Sequence, residues 1–273
     1  MKTLVIRALS ALIALAVVVS LVGQHDVLGL KVLCYIVPLL GGRELVRILF
    51  KADDSIFIKF VFMSLGLSTF VLTVLFPSHS TLAFACISIL FCCISIVFEK
   101  RFEDLTALSL FQAKSILGFF YIGLLPALAY RILDLPNGKV WFLTMLAVVF
   151  AGDTLAYLTG MLWGNRKILP KISPKKTIVG SVGGLAGSAL AGWISGNYFL
   201  VHVPVWGLVA ICTLTGVVAQ LGDLFESMLK RVANRKDSGS IMPGHGGILD
   251  RLDGVLFGAP ILFAGALLLE NLF

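Results

Sequence analysis

Apolar runs of about twenty residues recur along this chain, and that recurrence leaves few folds open. A helix needs roughly 20 mostly apolar residues to cross about 30 Å of hydrocarbon, and inside a bilayer the backbone must satisfy its own hydrogen bonds. Nine segments meet the requirement, near residues 4–22, 27–42, 56–76, 80–98, 115–133, 140–162, 178–196, 201–221 and 254–273. With 58% hydrophobic and 14% charged residues, the composition lies far from that of a soluble domain, which runs at about 25% charged. The expected fold class is all-α, a polytopic integral membrane protein of about nine transmembrane helices. The first segment follows Lys2 and Arg7 as a signal peptide would, but no small-residue cleavage site succeeds it and eight further spans do, so a retained helix is expected.

Charge placement orients the spans. All but three of the 22 Lys and Arg residues fall at the N-terminus or in alternate connections: Arg43, Arg47, Lys51 and Lys59; Lys100, Arg101 and Lys114; Arg166, Lys167, Lys171, Lys175 and Lys176; Lys230, Arg231, Arg235, Lys236 and Arg251. Only Lys31, Arg131 and Lys139 fall on the other side. Because Lys and Arg are retained in cytoplasmic loops, the N-terminus is expected inside and the C-terminus outside. Topology thus accounts for the net charge of +7 without nucleic acid as a partner. The five cysteines show no CxxC pairing and lie in or beside apolar runs, which suggests neither disulfides nor zinc.

Two regions are expected. Residues 1–114 form an N-terminal membrane region of about four helices with scaffold or lipid-facing roles, its polar feature an interfacial Arg43–Glu44 pair. Residues 115–273 form a membrane region of about five helices that carries the chemistry, packed closely through the glycines of the seventh span, among them Gly184 and Gly187.

Polar residues in that second region cluster where metal and phosphate chemistry needs them. Asp250 and Asp253 lie three apart at the start of the last span, on one helical face. Alone they read equally well as acids favoured by the helix macrodipole. The preceding Pro243-Gly-His-Gly-Gly turn, however, offers backbone N–H groups suited to anions, through His245, Gly246 and Gly247. Asp223 and Glu226 end the eighth span, with Lys230 one turn further. They either satisfy one another as an Asp223–Lys230 or Glu226–Lys230 pair, or Asp223 completes a carboxylate cluster with Asp250 and Asp253. Oxygen ligands of that kind suit Mg²⁺. Asp153, four residues before Tyr157, sits inside an apolar segment, where an isolated carboxylate is costly and should face a polar cavity or a partner helix. Ser173, Lys175, Lys176 and Thr177 make a compact set of cations and hydroxyls that either fixes topology or binds phosphate.

The C-terminal run resembles the CDP-diacylglycerol synthases, or phosphatidate cytidylyltransferases. Their pattern is met by Ser227, Leu229, Lys230, Arg231, Lys236, Asp237, Gly239, Pro243, His245, Gly246, Gly247, Ile248, Asp250, Arg251, Leu252 and Asp253. The similarity continues upstream through Asp153-Thr-Leu-Ala-Tyr157 and Ser173-Pro-Lys-Lys-Thr177, while the N-terminal half matches only as a multispan region. Two departures stand out: Met242 replaces the usual Leu, Ile or Phe, and Ile178-Val179 follows SPKKT where the family often places an acid.

The resemblance implies cytidylyl transfer from CTP to phosphatidic acid, giving CDP-diacylglycerol and pyrophosphate. It further implies Mg²⁺, with room for a second cation, on Asp223, Asp250 and Asp253. Lys230 then joins those three as a catalytic group. Substrate contacts fall to Asp153, Tyr157, Ser173, Lys175, Lys176, Thr177, Arg231, Lys236, Asp237, His245, Gly246, Gly247 and Arg251. The partners are then CTP, phosphatidic acid and membrane lipids, with a homodimer left open, and the site is expected at the cytoplasmic face of a bacterial inner membrane. A secondary transporter or flippase for an anionic solute, or another CTP-dependent lipid transferase, is the alternative.

Overall fold

The structure, a computed structural model, describes residues 2–50, 54–241 and 246–272. Among them the regular elements are helical, with no strand beyond an isolated Lys167–Thr177 bridge. In chain order the helices are α1 (Lys2–Leu49), α2 (Ile56–Leu75), α3 (Ser80–Val97), α4 (Leu105–Phe119), α5 (Leu125–Ile132), α6 (Gly138–Trp163), α7 (Ile178–Tyr198), α8 (Val205–Val232) and α9 (Leu249–Leu272). Seven helical stretches among the described residues are long and apolar enough to cross a membrane. The chain is an integral membrane protein.

Several helices outrun their hydropathy boundaries, α8 continuing to Val232 and α9 starting at Leu249, and two departures have a clear local reason. Residues 23–26, expected as the first connection, continue α1, which runs unbroken for 48 residues, about 72 Å at 1.5 Å per residue. Gln24, His25 and Asp26 interrupt hydropathy, but none of them removes a backbone donor as proline does. The fifth expected span starts earlier than its apolar run: α4, a π-helical turn at Phe120–Leu124 and α5 form one stretch over Leu105–Ile132. Asp104 caps it, its carboxylate accepting from the Ala107 amide at 2.6 Å. The widened turn precedes Pro126, which lacks the N–H of a regular turn.

Two packed cores position everything else. One gathers Leu30 and Cys34 of α1 with Trp141, Met145 and Val148 of α6, Cys212 of α8 and Ala259 and Leu262 of α9. The other joins Leu45 and Leu49 of α1 to Phe62, Phe91, Phe119, Tyr121 and Ile122, and ends on Leu249 and Leu256 of α9. Helix α9 therefore belongs to both, and its first turn rests on α1. Between α6 and α7 the glycine face admits close backbone approach: a Cβ at Gly187 would stand 2.7 Å from the Ala151 carbonyl oxygen, and one at Gly184 3.0 Å from that of Gly152. Without a hydrophobic force between helices in lipid, such close packing is a main source of cohesion.

The bundle has two polar ends. At one, Lys31 pairs with Asp134 at 2.7 Å. There too Glu270 accepts from the Trp141 indole at 2.6 Å and meets His202 at 3.0 Å. Thirteen residues along α1 from Lys31, the opposite end holds Glu44, the starts of α7 and α9 and the end of α8.

Candidate functional site

At that second end the last turns of α8 face the first turns of α9. Lys230, its side chain only 11% exposed, places Nζ 3.1 Å from Glu226 Oε2 and 2.5 Å from Asp250 Oδ1. One helical turn separates Glu226 from Lys230, so the first contact is local; the second fastens α8 to α9. Burial makes both matter, since a partly desolvated ammonium between two carboxylates loses far more than a surface pair when one partner is removed.

Asp250 is held from both sides. Its Oδ2 accepts from the Gly247 amide at 2.7 Å, the Ser238 amide at 2.8 Å and the Ser238 hydroxyl at 2.9 Å. Gly246 turns at a φ of +87°, and a Cβ there would press on the same oxygen, so glycine is required. Of the expected anion-binding turn, residues 243–245 lie outside the described residues, and the amides that follow are taken up by carboxylates of the chain itself. The Gly247 amide serves Asp250, while the Ile248 and Leu249 amides serve Glu44 at 3.1 and 3.0 Å. Glu44 is 1% exposed and buried rather than interfacial, near the C-terminal end of α1.

Asp223, one turn before Ser227 on α8, pairs with Lys176 at 2.5 Å and also receives a long hydrogen bond from Ser227 at 3.4 Å. That contact carries the loop after α6 into the same neighbourhood. Arg231 secures the loop further, donating from Nε to the Ile172 carbonyl at 3.3 Å. Thr177 spends its hydroxyl capping α7, accepting from the Gly180 amide at 3.1 Å. Asp153 of α6 lies within electrostatic reach of Asp223, Asp253, Lys176 and Arg251. Asp253 is 9% exposed, in reach of Asp223, Glu226 and Lys230.

The fold thus assembles Asp153, Lys176, Asp223, Lys230, Asp250 and Asp253 from three separate stretches of sequence. Tyr157, Lys175, Lys236, Asp237 and Arg251 are exposed around them, and Ser173 is partly so. His245, with Met242, Pro243 and Gly244, lies outside the described residues. Among the described residues no three His, Cys, Asp or Glu side chains already stand as a metal cage. The oxygens nearest to that role, Asp223 Oδ2 and Asp250 Oδ1, hold lysine ammonium groups, which supply the positive charge a cation would supply. Among the described residues Glu226 Oε1 is buried with no donor to it, set against the Asp253 carboxyl, and the Tyr121 hydroxyl is buried with no hydrogen-bond partner. Spacing gave no hint of Tyr121, Ser238 or the inward role of Glu44. Glu44 stands at the edge of an apolar run, Tyr121 in the middle of one and Ser238 within a polar stretch, so no shared sequence signal marks them.

The cytidylyltransferase family model matches residues 5–269. A phosphatidate cytidylyltransferase of Brucella abortus is 40% identical over 157 residues, covering 56% of this chain and 57% of that protein. One of Synechocystis sp. is 36% identical over 220 residues, covering 70% of this chain and 73% of that protein. One of Staphylococcus epidermidis is 42% identical over 126 residues, 46% of this chain and 48% of that protein. The chain spans little more than half the length of the Brucella relative it matches.

Proposed function

This chain belongs to the cytidylyltransferase family, and on that premise we propose that it transfers the cytidylyl group of CTP to phosphatidic acid, giving CDP-diacylglycerol and pyrophosphate. The observation that carries the reading is the Lys230–Asp250 contact set beside the Lys176–Asp223 pair at one end of a membrane bundle. Such a site has the charge to handle a nucleoside triphosphate and lies where a lipid phosphate can reach it.

A phosphate oxygen of the lipid attacks the α-phosphorus of CTP; the new P–O bond forms as the bond to the β-phosphate oxygen breaks, and pyrophosphate leaves. No side-chain nucleophile is needed, so catalysis is positioning and charge neutralisation. Lys230 and Lys176 exchange part of their carboxylate contacts for phosphate oxygens as substrate enters. Arg251, Lys175, Arg231 and Lys236 extend the positive lining, with Asp153, Tyr157, Ser173, Thr177, Asp237, Gly246 and Gly247 shaping its walls.

The donors fit a hard divalent cation, because carboxylate oxygens dominate and the buried Glu226 and Asp253 carboxyls interact as like charges that a cation would relieve. Asp223, Asp250 and Asp253 would hold Mg²⁺, which supplies charge neutralisation to the triphosphate and the departing pyrophosphate. The basic connections share the site's end of the bundle, which supports a site facing the cytoplasm of a bacterial inner membrane.

Purified protein given phosphatidate, radiolabelled CTP and Mg²⁺ should move label into lipid. Absence of labelled CDP-lipid with both CTP and dCTP would reject the reading.

A further inference from the structure

The contact at this site that spans the most sequence is made by a residue outside the family-like C-terminal run. Glu44 stands 194 residues before Ser238 and 205 before Leu249, yet bonds to both. Oε1 accepts from the Ile248 amide at 3.1 Å, and Oε2 from the Leu249 amide and the Ser238 hydroxyl, each at 3.0 Å. A carboxylate from α1 thereby caps α9 from another helix, the place where negative charge is most favourable on a helix. The fit is close, since a Cβ at either Gly239 or Gly247 would overlap the Glu44 carboxylate.

Ser238 links this cap to the site. Its hydroxyl lies 3.0 Å from Glu44 Oε2 and 2.9 Å from Asp250 Oδ2, and its amide donates to that same Asp250 oxygen at 2.8 Å. A hydroxyl carries one proton, so two acidic acceptors share a single donor and only a fixed spacing keeps both in place. Glu44 sets that spacing, because the amides it binds belong to the turn from which Asp250 projects.

We propose that Glu44 is a positioning residue for Asp250. It holds Ser238 and the Ile248 and Leu249 amides so that Asp250 meets Lys230 and the reacting phosphates in one geometry. The N-terminal region is then part of the site's framework. This inference rests on the reading that Asp250 belongs to a cytidylyl-transfer centre.

The test uses the full chain in detergent with CTP and phosphatidate, comparing wild type, Glu44→Gln and Ser238→Ala at equal amounts of monodisperse protein. Glutamine keeps the size but replaces one acceptor oxygen by an NH₂ group that opposes an N–H donor. Glu44→Gln should lower kcat about tenfold or more, the factor carried by a hydrogen bond to a charged group, and speed hydrogen exchange at the Ile248 and Leu249 amides. The KM for CTP should change by less than about threefold, because binding shared by ground and transition states is untouched.

Ser238→Ala should lower kcat in the same direction while the Ile248 and Leu249 amides stay protected; if Glu44→Gln does not fold, Glu44→Asp, which keeps the charge but draws the carboxylate back by one methylene, takes its place with the same expected loss of kcat. Wild-type kcat in folded Glu44→Gln or in the Glu44→Asp that replaces it, or wild-type kcat in Ser238→Ala, would overturn the positioning role. An inactive wild-type protein would instead overturn the reaction assignment, and the positioning role with it.

Discussion

Lys230 Nζ lies 2.5 Å from Asp250 Oδ1, a contact that joins the last turn of α8 to the first turn of α9 across twenty residues of chain. Both groups are largely buried, and Glu226 shares the ammonium at 3.1 Å. Replacing Lys230 by Met leaves two carboxylates facing each other without their cation. Stability should fall by about 3 kcal/mol, as when a buried pair loses one member, and CDP-lipid formation per folded molecule should fall by about 10²-fold or more, the scale of an electrostatic group lost at a reacting centre. Lys230→Arg should recover little, since a planar fork does not fit a site built around a point charge. Thermal unfolding in detergent and label transfer into lipid read the two effects separately.

The Lys176–Asp223 pair should behave in the opposite proportion. Its side chains are 27% and 35% exposed, and a solvent-screened pair contributes less than about 1 kcal/mol to stability. Lys176→Ala should therefore barely move the unfolding midpoint, while raising the KM for CTP about tenfold through loss of a charged hydrogen bond to phosphate. A large drop in melting temperature with an unchanged KM would show the lysine to be structural.

How much of this could be read along the chain depends on whether partners are near in sequence. Asp250 and Asp253 lie three apart, so their spacing already announced a shared face, and Glu226–Lys230 follows from one helical turn. Lys176 and Asp223 were both visible as charges out of place in an apolar chain, but their pairing needs α7 and α8 to be packed. Glu44 gave the least warning: beside Arg43 at the end of an apolar run it looks like an interfacial residue, and only the docking of α1 under α9 makes it a buried cap. The glycine turn ending at Gly247 was recognisable as a set of anion donors, the Ile248 and Leu249 amides were not, and a sequence does not tell an internal carboxylate from a substrate phosphate as the acceptor. Likewise hydropathy marks where a helix leaves lipid rather than where its hydrogen bonds stop, so α1 continues through residues 23–26.

Packing between α6 and α7 gives a stability prediction away from the chemistry. Gly187→Ala puts a methyl group 2.7 Å from the Ala151 carbonyl oxygen, closer than van der Waals contact allows. The helices must separate, at a cost of about 1–3 kcal/mol typical of an overpacked core. The unfolding midpoint should fall, while the kcat of the remaining folded protein stays near wild type. An unchanged midpoint would mean that the close approach contributes nothing to the bundle.

Sidedness follows from the two polar ends. The 21 residues of α7 extend about 31 Å, roughly the hydrocarbon thickness, and the exposed Lys175 and Val201 lie beyond its opposite ends. In a background without the five native cysteines, Lys175→Cys and Val201→Cys should label with an impermeant maleimide from opposite faces. Retention of basic loops inside predicts that Lys175→Cys reacts in inverted vesicles and Val201→Cys in intact cells. The reverse pattern would put Lys176, Lys230 and Asp250 on the face away from cytoplasmic CTP, and cytidylyl transfer from that pool would fail as their function. The expected pattern instead gives CTP access from the cytoplasm while the acyl chains of phosphatidate stay in the bilayer.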